Sequence, residues 1–222
     1  MEQCTPHDLV DYIETEILPR YASFDAAHRI DHARMVIEQS RALTESINAS
    51  AEYKNPDGTK LVVSPAMTYV VAAFHDTGLC EGREQHHVVS ARIIRADQHL
   101  PRWFTAEEIA VMADAAEDHR ASAKLPPRTI YGRIVAEADR FIEAETIIRR
   151  TVQFGFEHYP ELSREEHRAR ALAHLREKYG DGGYLRLWFP ESPNAARLET
   201  LRALIRQPEL LEPYFEKFLP QR

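Results

Sequence analysis

The stretch Ser64-Pro-Ala-Met-Thr-Tyr-Val-Val-Ala-Ala-Phe74, followed at once by His75-Asp76, most constrains what this chain can become. Ser64 suits a helix cap and Pro65 the first helical position. Met67, Val70, Val71, Ala73 and Phe74 then make the helix apolar nearly all round, so other elements must surround it. It ends on an imidazole beside a carboxylate. Burying an ionised carboxylate is costly unless a cation or hydrogen bonds compensate, and a divalent metal is such a compensation.

The elements available to surround it are helices. Thr5-Pro6-His7-Asp8 reads as a helix start, with Leu9, Val10, Ile13 and Ile17 at helical spacing. A second helix is predicted over 28–47, its apolar side built from Ile30, Ala33, Val36, Ile37 and Leu43. Asn55-Pro-Asp-Gly58 marks a surface loop over 49–63. Further helices are predicted over 84–99 and from a capping box at Thr105 to His119, before Pro126-Pro127. The apolar stripe from Ile130 to Val152 predicts one helix over 129–156 with Asp139 inside it, and Phe141 belongs to that stripe. Ser163 and Glu166 cap a helix that stops at Gly180, and Ser192-Pro193 opens a last one through Leu198, Leu201, Leu204 and Ile205. Only 181–190 is strand-like or loop, and no strands alternate with helices, so a parallel sheet is excluded and the class is all-α.

The 222 residues suffice for one sizeable core, and 44% hydrophobic with 28% charged residues is an ordinary globular balance. One unit is expected, with a core over about 24–156 and a helical extension over about 157–222. The net charge of -7 argues against a nonspecific grip on nucleic acid. Cys4 and Cys80 are too few for a disulfide framework, the first residues do not read as a secretory signal, and the apolar run over 61–74 is too short to span a bilayer. A cytoplasmic protein without a membrane partner is expected. A homo-oligomer stays open.

Two further residues interrupt apolar periodicity where a polar group needs a reason: His32 on the second helix and Asp139 on the later one. Convergence of both on His75-Asp76 provides that reason. Two imidazoles and two carboxylates suit manganese, iron, nickel, cobalt or zinc better than an all-oxygen calcium cage. A second His-Asp pair, His7-Asp8, falls in the first turn predicted for the opening helix, where helix dipole and solvent explain it without a metal.

The ordered set His32, His75-Asp76 and Asp139 resembles the HD superfamily of metal-dependent phosphohydrolases. Asp25-Ala-Ala-His-Arg-Ile-Asp-His32, followed by Arg34-Met-Val36, extends the likeness to compact bacterial members. The resemblance implies an HD-domain helical bundle, here with additional C-terminal helices. It also implies one or two divalent ions, magnesium among the candidates. In two-metal members extra histidines come from the following helices, where His86 and His119 stand; His87 competes with His86, but Ser90-Ala91 at the usual offset favours His86. Glu84, or Glu81, stands where a glutamate serves some members as general acid or base.

His28, one turn before His32, is a second contact to metal ligands, a phosphate contact or a plain helix-face residue. Arg120 and Arg140 adjoin proposed ligands and either clamp phosphate or pair with acidic neighbours. The stretch 184–188 reads as packing, with Arg186 a remote candidate. The expected reaction is hydrolysis of a nucleotide or other small phosphate ester, mono- or diester, by metal-activated water with Asp76 and Glu84 assisting. Two alternatives are an HD-type di-iron oxygenase and a noncatalytic metal- or nucleotide-binding module. No Gly-rich phosphate loop is present.

Overall fold

The computed structural model describes residues 5–25, 28–120, 125–140, 142–190 and 192–219, and among these the regular elements are all helices, joined by turns and loops, with one isolated bridge between Lys54 and Lys60 in the loop over 49–63. Cys4 and Phe141 lie outside the described residues. Among those described, no helix is long and apolar enough to cross a membrane.

The chain divides into two compact units, residues 1–140 and 141–222. In the first, α1 (His7–Tyr12) runs on through a π-helical turn (Ile13–Ile17) and a 3-10 segment (Leu18–Ser23). Then come α2 (Ile30–Ala49), α3 (Pro65–Phe74), a 3-10 turn (Thr77–Glu81), α4 (His86–Ala96), α5 (Ala106–Glu117) and α6 (Ile130–Ala138). Helix α3 packs against α2, α5 and α6, and Val70, Val71, Ala72, Ala73 and Phe74 are each 0% exposed, as its all-round apolar sequence requires. Burying Phe74 and each valine contributes about 1.5–3 kcal/mol.

Start signals position these helices. Ser64 Oγ accepts the Met67 N–H, and Thr105 with Glu108 forms the expected capping box of α5. The fourth helix is shorter than the predicted 84–99 at both ends, running over His86–Ala96; before it stand the 3-10 turn and Gly82, whose φ of +105° turns the chain.

The second unit holds α7 (Ala144–His158), α8 (Arg164–Tyr179), α9 (Pro193–Arg206), a 3-10 turn (Pro208–Leu211) and α10 (Glu212–Phe218). Ile148, Val152, Leu175, Leu201, Leu211 and Phe215 form its core. The capping box at Ser163 and Glu166 and the stop at Gly180 are present; 181–190 forms no strand; α10 is an addition to the expected helices.

One expectation is corrected. The stripe over 129–156 is two helices, α6 and α7. Asp139 is the C-cap of α6, and the Glu143 carboxylate starts α7 by accepting the Glu145 and Thr146 N–H groups. Helix α7, expected within the core over 24–156, packs against α8, α9 and α10.

Candidate metal centre

Each candidate ligand of the first unit stands at or just beyond a helix terminus. His32 is in the first turn of α2, His75 caps α3 and Asp76 follows it, His86 opens α4, His119 lies just past α5, and Asp139 caps α6. The C-terminal ends of α3, α5 and α6 carry partial negative charge and favour a cation, each by about 0.3–1 kcal/mol. Local hydrogen bonds then fix the rings. The Nδ1–H of His75 donates to Ala72 O (2.7 Å), that of His86 to Arg83 O (2.7 Å) and that of His119 to Ala116 O (2.6 Å). A carbonyl can only accept, so each Nδ1 carries a proton, and each ring in its neutral form presents the Nε2 lone pair.

Those Nε2 atoms gather on one carboxylate. Asp76 Oδ2 lies 3.3 Å from His75 Nε2 and 3.8 Å from His32 Nε2, whereas Oδ1 lies 3.4 Å from His86 Nε2 and 3.5 Å from His119 Nε2. Asp139 Oδ1 completes the first set, 3.0 Å from His32 Nε2 and 3.8 Å from His75 Nε2. Two groups result, His32 with His75 and Asp76, and Asp76 with His86 and His119, sharing the aspartate. Donors about 2.1 Å from one ion stand roughly 3.0–3.4 Å apart, close to these spacings.

The residues fit a metal on two further grounds. His32 Nε2 and His75 Nε2 are buried without a hydrogen-bond partner among the described residues. His86 Nε2 and His119 Nε2 face each other at 3.2 Å, and with both Nδ1 protonated their lone pairs repel unless a cation or an added proton stands between them. Burial opposes charge on His75, but Asp76 and then Asp139 outweigh it and push the imidazole up to about 9. Burial alone would raise Asp76; His75 and His119 instead hold it well below the usual carboxylate range. Asp139 is likewise brought down to about 2, against burial, by His32 and His75. Burial lowers His86. Both carboxylates are therefore anionic and ready to bind a cation.

A pocket of about 200 Å³ opens above this centre. It is lined by Asp76, Asp139, His86 and His119 of the centre together with His28, Leu79, Arg83 and Arg120. His28 Nδ1 donates to Asp25 Oδ1 at 2.8 Å, and its ring stands 5.8 Å from that of His32. Arg120 Nη1 donates to Glu84 O at 3.0 Å. His87 meets the His86 ring edge to face and enters neither group.

Other candidates stand elsewhere. Arg140, whose guanidinium burial pushes down, is not among the lining residues. Glu84 is exposed and outside the lining, and Glu81 is exposed and pairs with Arg92. Arg186 belongs to the second unit, where it donates to Gly183 O at 2.8 Å. Tyr21 was missed: its buried hydroxyl donates to Ala73 O (2.9 Å) and accepts the Asp76 N–H (3.3 Å), bracing the end of α3. A phenol between Arg20 and Ala22-Ser23 carries no signal of that role in the sequence. Arg83 and Leu79 were also missed, Arg83 because an arginine in a Gly-Glu loop reads as solvated.

Asp8 serves as an internal control. It accepts the Trp103 indole N–H at 2.9 Å and lies 3.8 Å from Arg102, away from the metal centre. Asp8→Ala should therefore leave metal content and activity unchanged while lowering stability by about 1 kcal/mol, read as a melting shift of about 2–4 °C. Loss of metal in that variant would place the centre at the wrong His-Asp pair.

A family model for the HD domain matches residues 29–144, slightly over half of the chain. The chain belongs to the HD-domain family, whose members are generally metal-dependent phosphohydrolases, and its His and Asp groups can hold a metal. No curated protein and no solved structure matches it.

Proposed function

We propose that this protein is a metal-dependent phosphohydrolase acting on a nucleotide or another small phosphate ester. The observation that carries the reading is the Asp76 carboxylate, one oxygen toward each histidine-bearing group, lining a pocket together with Arg83 and Arg120. His32, His75, Asp76 and Asp139 would hold one divalent ion, and Asp76, His86 and His119 a second. When bound, such an ion lowers the pKa of a bound water from about 15.7 toward about 7 and polarises a phosphoryl oxygen.

The chain's own residues do the rest. Arg120, anchored through one nitrogen to Glu84 O, keeps its other N–H groups for a phosphoryl oxygen and stabilises negative charge that grows there. His28 is oriented by Asp25 through Nδ1, which leaves Nε2 to meet an ester oxygen and to hold or pass a proton. The N-termini of α2 and α4 begin beside the ligands and add a favourable field for an anion. Glu84, the expected acid or base, gains no support from its exposed position.

Metal analysis of the purified chain, followed by a phosphoester and nucleotide panel with manganese, nickel, cobalt or magnesium, tests this. The expected result is hydrolysis that requires added metal and stops with a chelator. Inertness toward every phosphoester in every metal would overturn it, and oxygen consumption by the iron-loaded protein would select the oxygenase chemistry instead.

A further inference from the structure

Arg83 occupies a position for which surface solvation is an insufficient account. Its backbone carbonyl accepts the Nδ1–H of His86, a proposed ligand, so the segment carrying it is fixed to the metal centre. The next carbonyl, Glu84 O, is held by Arg120. The rim is thus tied down on both sides of the Arg83–Glu84 peptide. From it Arg83 lines the same pocket as Arg120, and its ion pair among the described residues is a long one, Nη1 to Asp25 Oδ2 at 3.5 Å. An exposed pair of that length contributes about 0–1 kcal/mol, so a better acceptor can draw the guanidinium away.

We infer that Arg83 and Arg120 together form an anion clamp for a terminal, dianionic phosphate, as in a phosphomonoester, with the organic part of the substrate left outside. Size and charge point the same way. Pockets that enclose a drug-sized ligand measure about 300–1,000 Å³, whereas this one holds about 200 Å³, enough to take a phosphate head while a larger organic part extends out of its open mouth. Two guanidinium forks, added to a cation site, match a group with two negative charges and three outward oxygens. A diester offers one charge and only two unesterified oxygens to the same pair of guanidiniums. Asp25, which holds His28 at 2.8 Å and Arg83 at 3.5 Å, keeps both groups together before an anion arrives. The identity of the anion rests on the phosphohydrolase reading; the clamp itself is measured by binding.

The test is calorimetric titration of inorganic phosphate, and separately of dimethyl phosphate, into the full metal-loaded chain and its Arg83→Gln and Arg83→Lys variants. Arg83 is 71% exposed in its side chain, so neither substitution threatens the fold, and metal content is measured alongside. Arg83→Gln should weaken phosphate binding about 10- to 100-fold at unchanged metal content, with partial recovery in Arg83→Lys. Dimethyl phosphate should bind the parent chain more weakly than phosphate and be indifferent to Arg83. Equal phosphate affinity in parent and Arg83→Gln, no phosphate binding by the parent, or equal binding of the two anions would each overturn the clamp. Arg83-dependent phosphate binding in a chain that hydrolyses no phosphoester keeps the clamp and removes the enzyme; metal-dependent hydrolysis with Arg83-independent binding does the reverse.

Discussion

Asp76→Ala is expected to strip the protein of its metal and its activity while leaving the helical circular-dichroism signal intact. The size of the effect follows from the sharing of one carboxylate: Oδ2 serves His32 and His75, and Oδ1 serves His86 and His119. Removing it disables both groups at once. Outer partners of metal ligands already cost about 10–100-fold in affinity, so loss of a ligand common to both groups should exceed about 100-fold. Turnover should fall by about 1,000-fold or more, the scale seen when a stabiliser of transition-state charge is removed. The fold survives because Asp76 lies beyond the last turn of α3, whose apolar residues are untouched. Metal analysis and steady-state kinetics check this, and near-normal metal content in the variant would sink the shared-carboxylate geometry.

Gly78→Ala should produce the largest loss of stability from a single methyl group in this chain. A Cβ there would stand 2.0 Å from His86 O, 2.6 Å from Ser90 N and 2.8 Å from Val89 Cβ. Two of these are backbone atoms of α4 that cannot rotate away, so the 3-10 turn and α4 must separate. That also strains the bond from the Gly78 N–H to Ser90 Oγ, 2.9 Å long. Overpacking costs about 1–3 kcal/mol and sometimes more, so about 3 kcal/mol is expected here, a melting shift of about 6–12 °C. His86 moves with α4, so the Asp76–His86–His119 group should lose its ion before the His32–His75 group does. Gly182→Ala, where a Cβ meets nothing within 4 Å, is the matched control. Unchanged melting and metal content in Gly78→Ala would contradict the close approach.

Much of this arrangement was legible in the sequence because separate signals coincided. Ser64-Pro65 marked where α3 begins, its lack of a polar face marked it as central, and His75-Asp76 marked where it meets the site. The capping boxes at Thr105 and Ser163 were equally readable, since hydroxyl and glutamate three residues apart satisfy two N–H groups locally. The break between α6 and α7 was not. Apolar spacing from Ile130 through Ile148 keeps the helical period across it, and the residue that starts α7, Glu143, is not among the favoured N-caps. The π-helical turn at Ile13–Ile17 left no compositional trace. At the site, His32, His75-Asp76 and Asp139 stood out as candidates because each broke or ended an apolar pattern, whereas His86 and His119 came only from the family resemblance; Arg83 and Tyr21 gave no signal, since one looks like a surface charge and the other like core.

Because every proposed ligand sits at a helix terminus, the middles of the helices carry no chemical duty. The apolar interior between α2, α3, α5 and α6 can therefore drift by volume-conserving exchanges without touching the reaction. Axial position is a different matter. A one-residue slide of any of these helices moves its terminus by about 1.5 Å, enough to carry a donor out of reach of its ion. Insertions and deletions within helices should consequently be far less tolerated than changes of side chain, whereas the loop over 49–63, whose ends are far from any ligand in sequence, can vary in length freely.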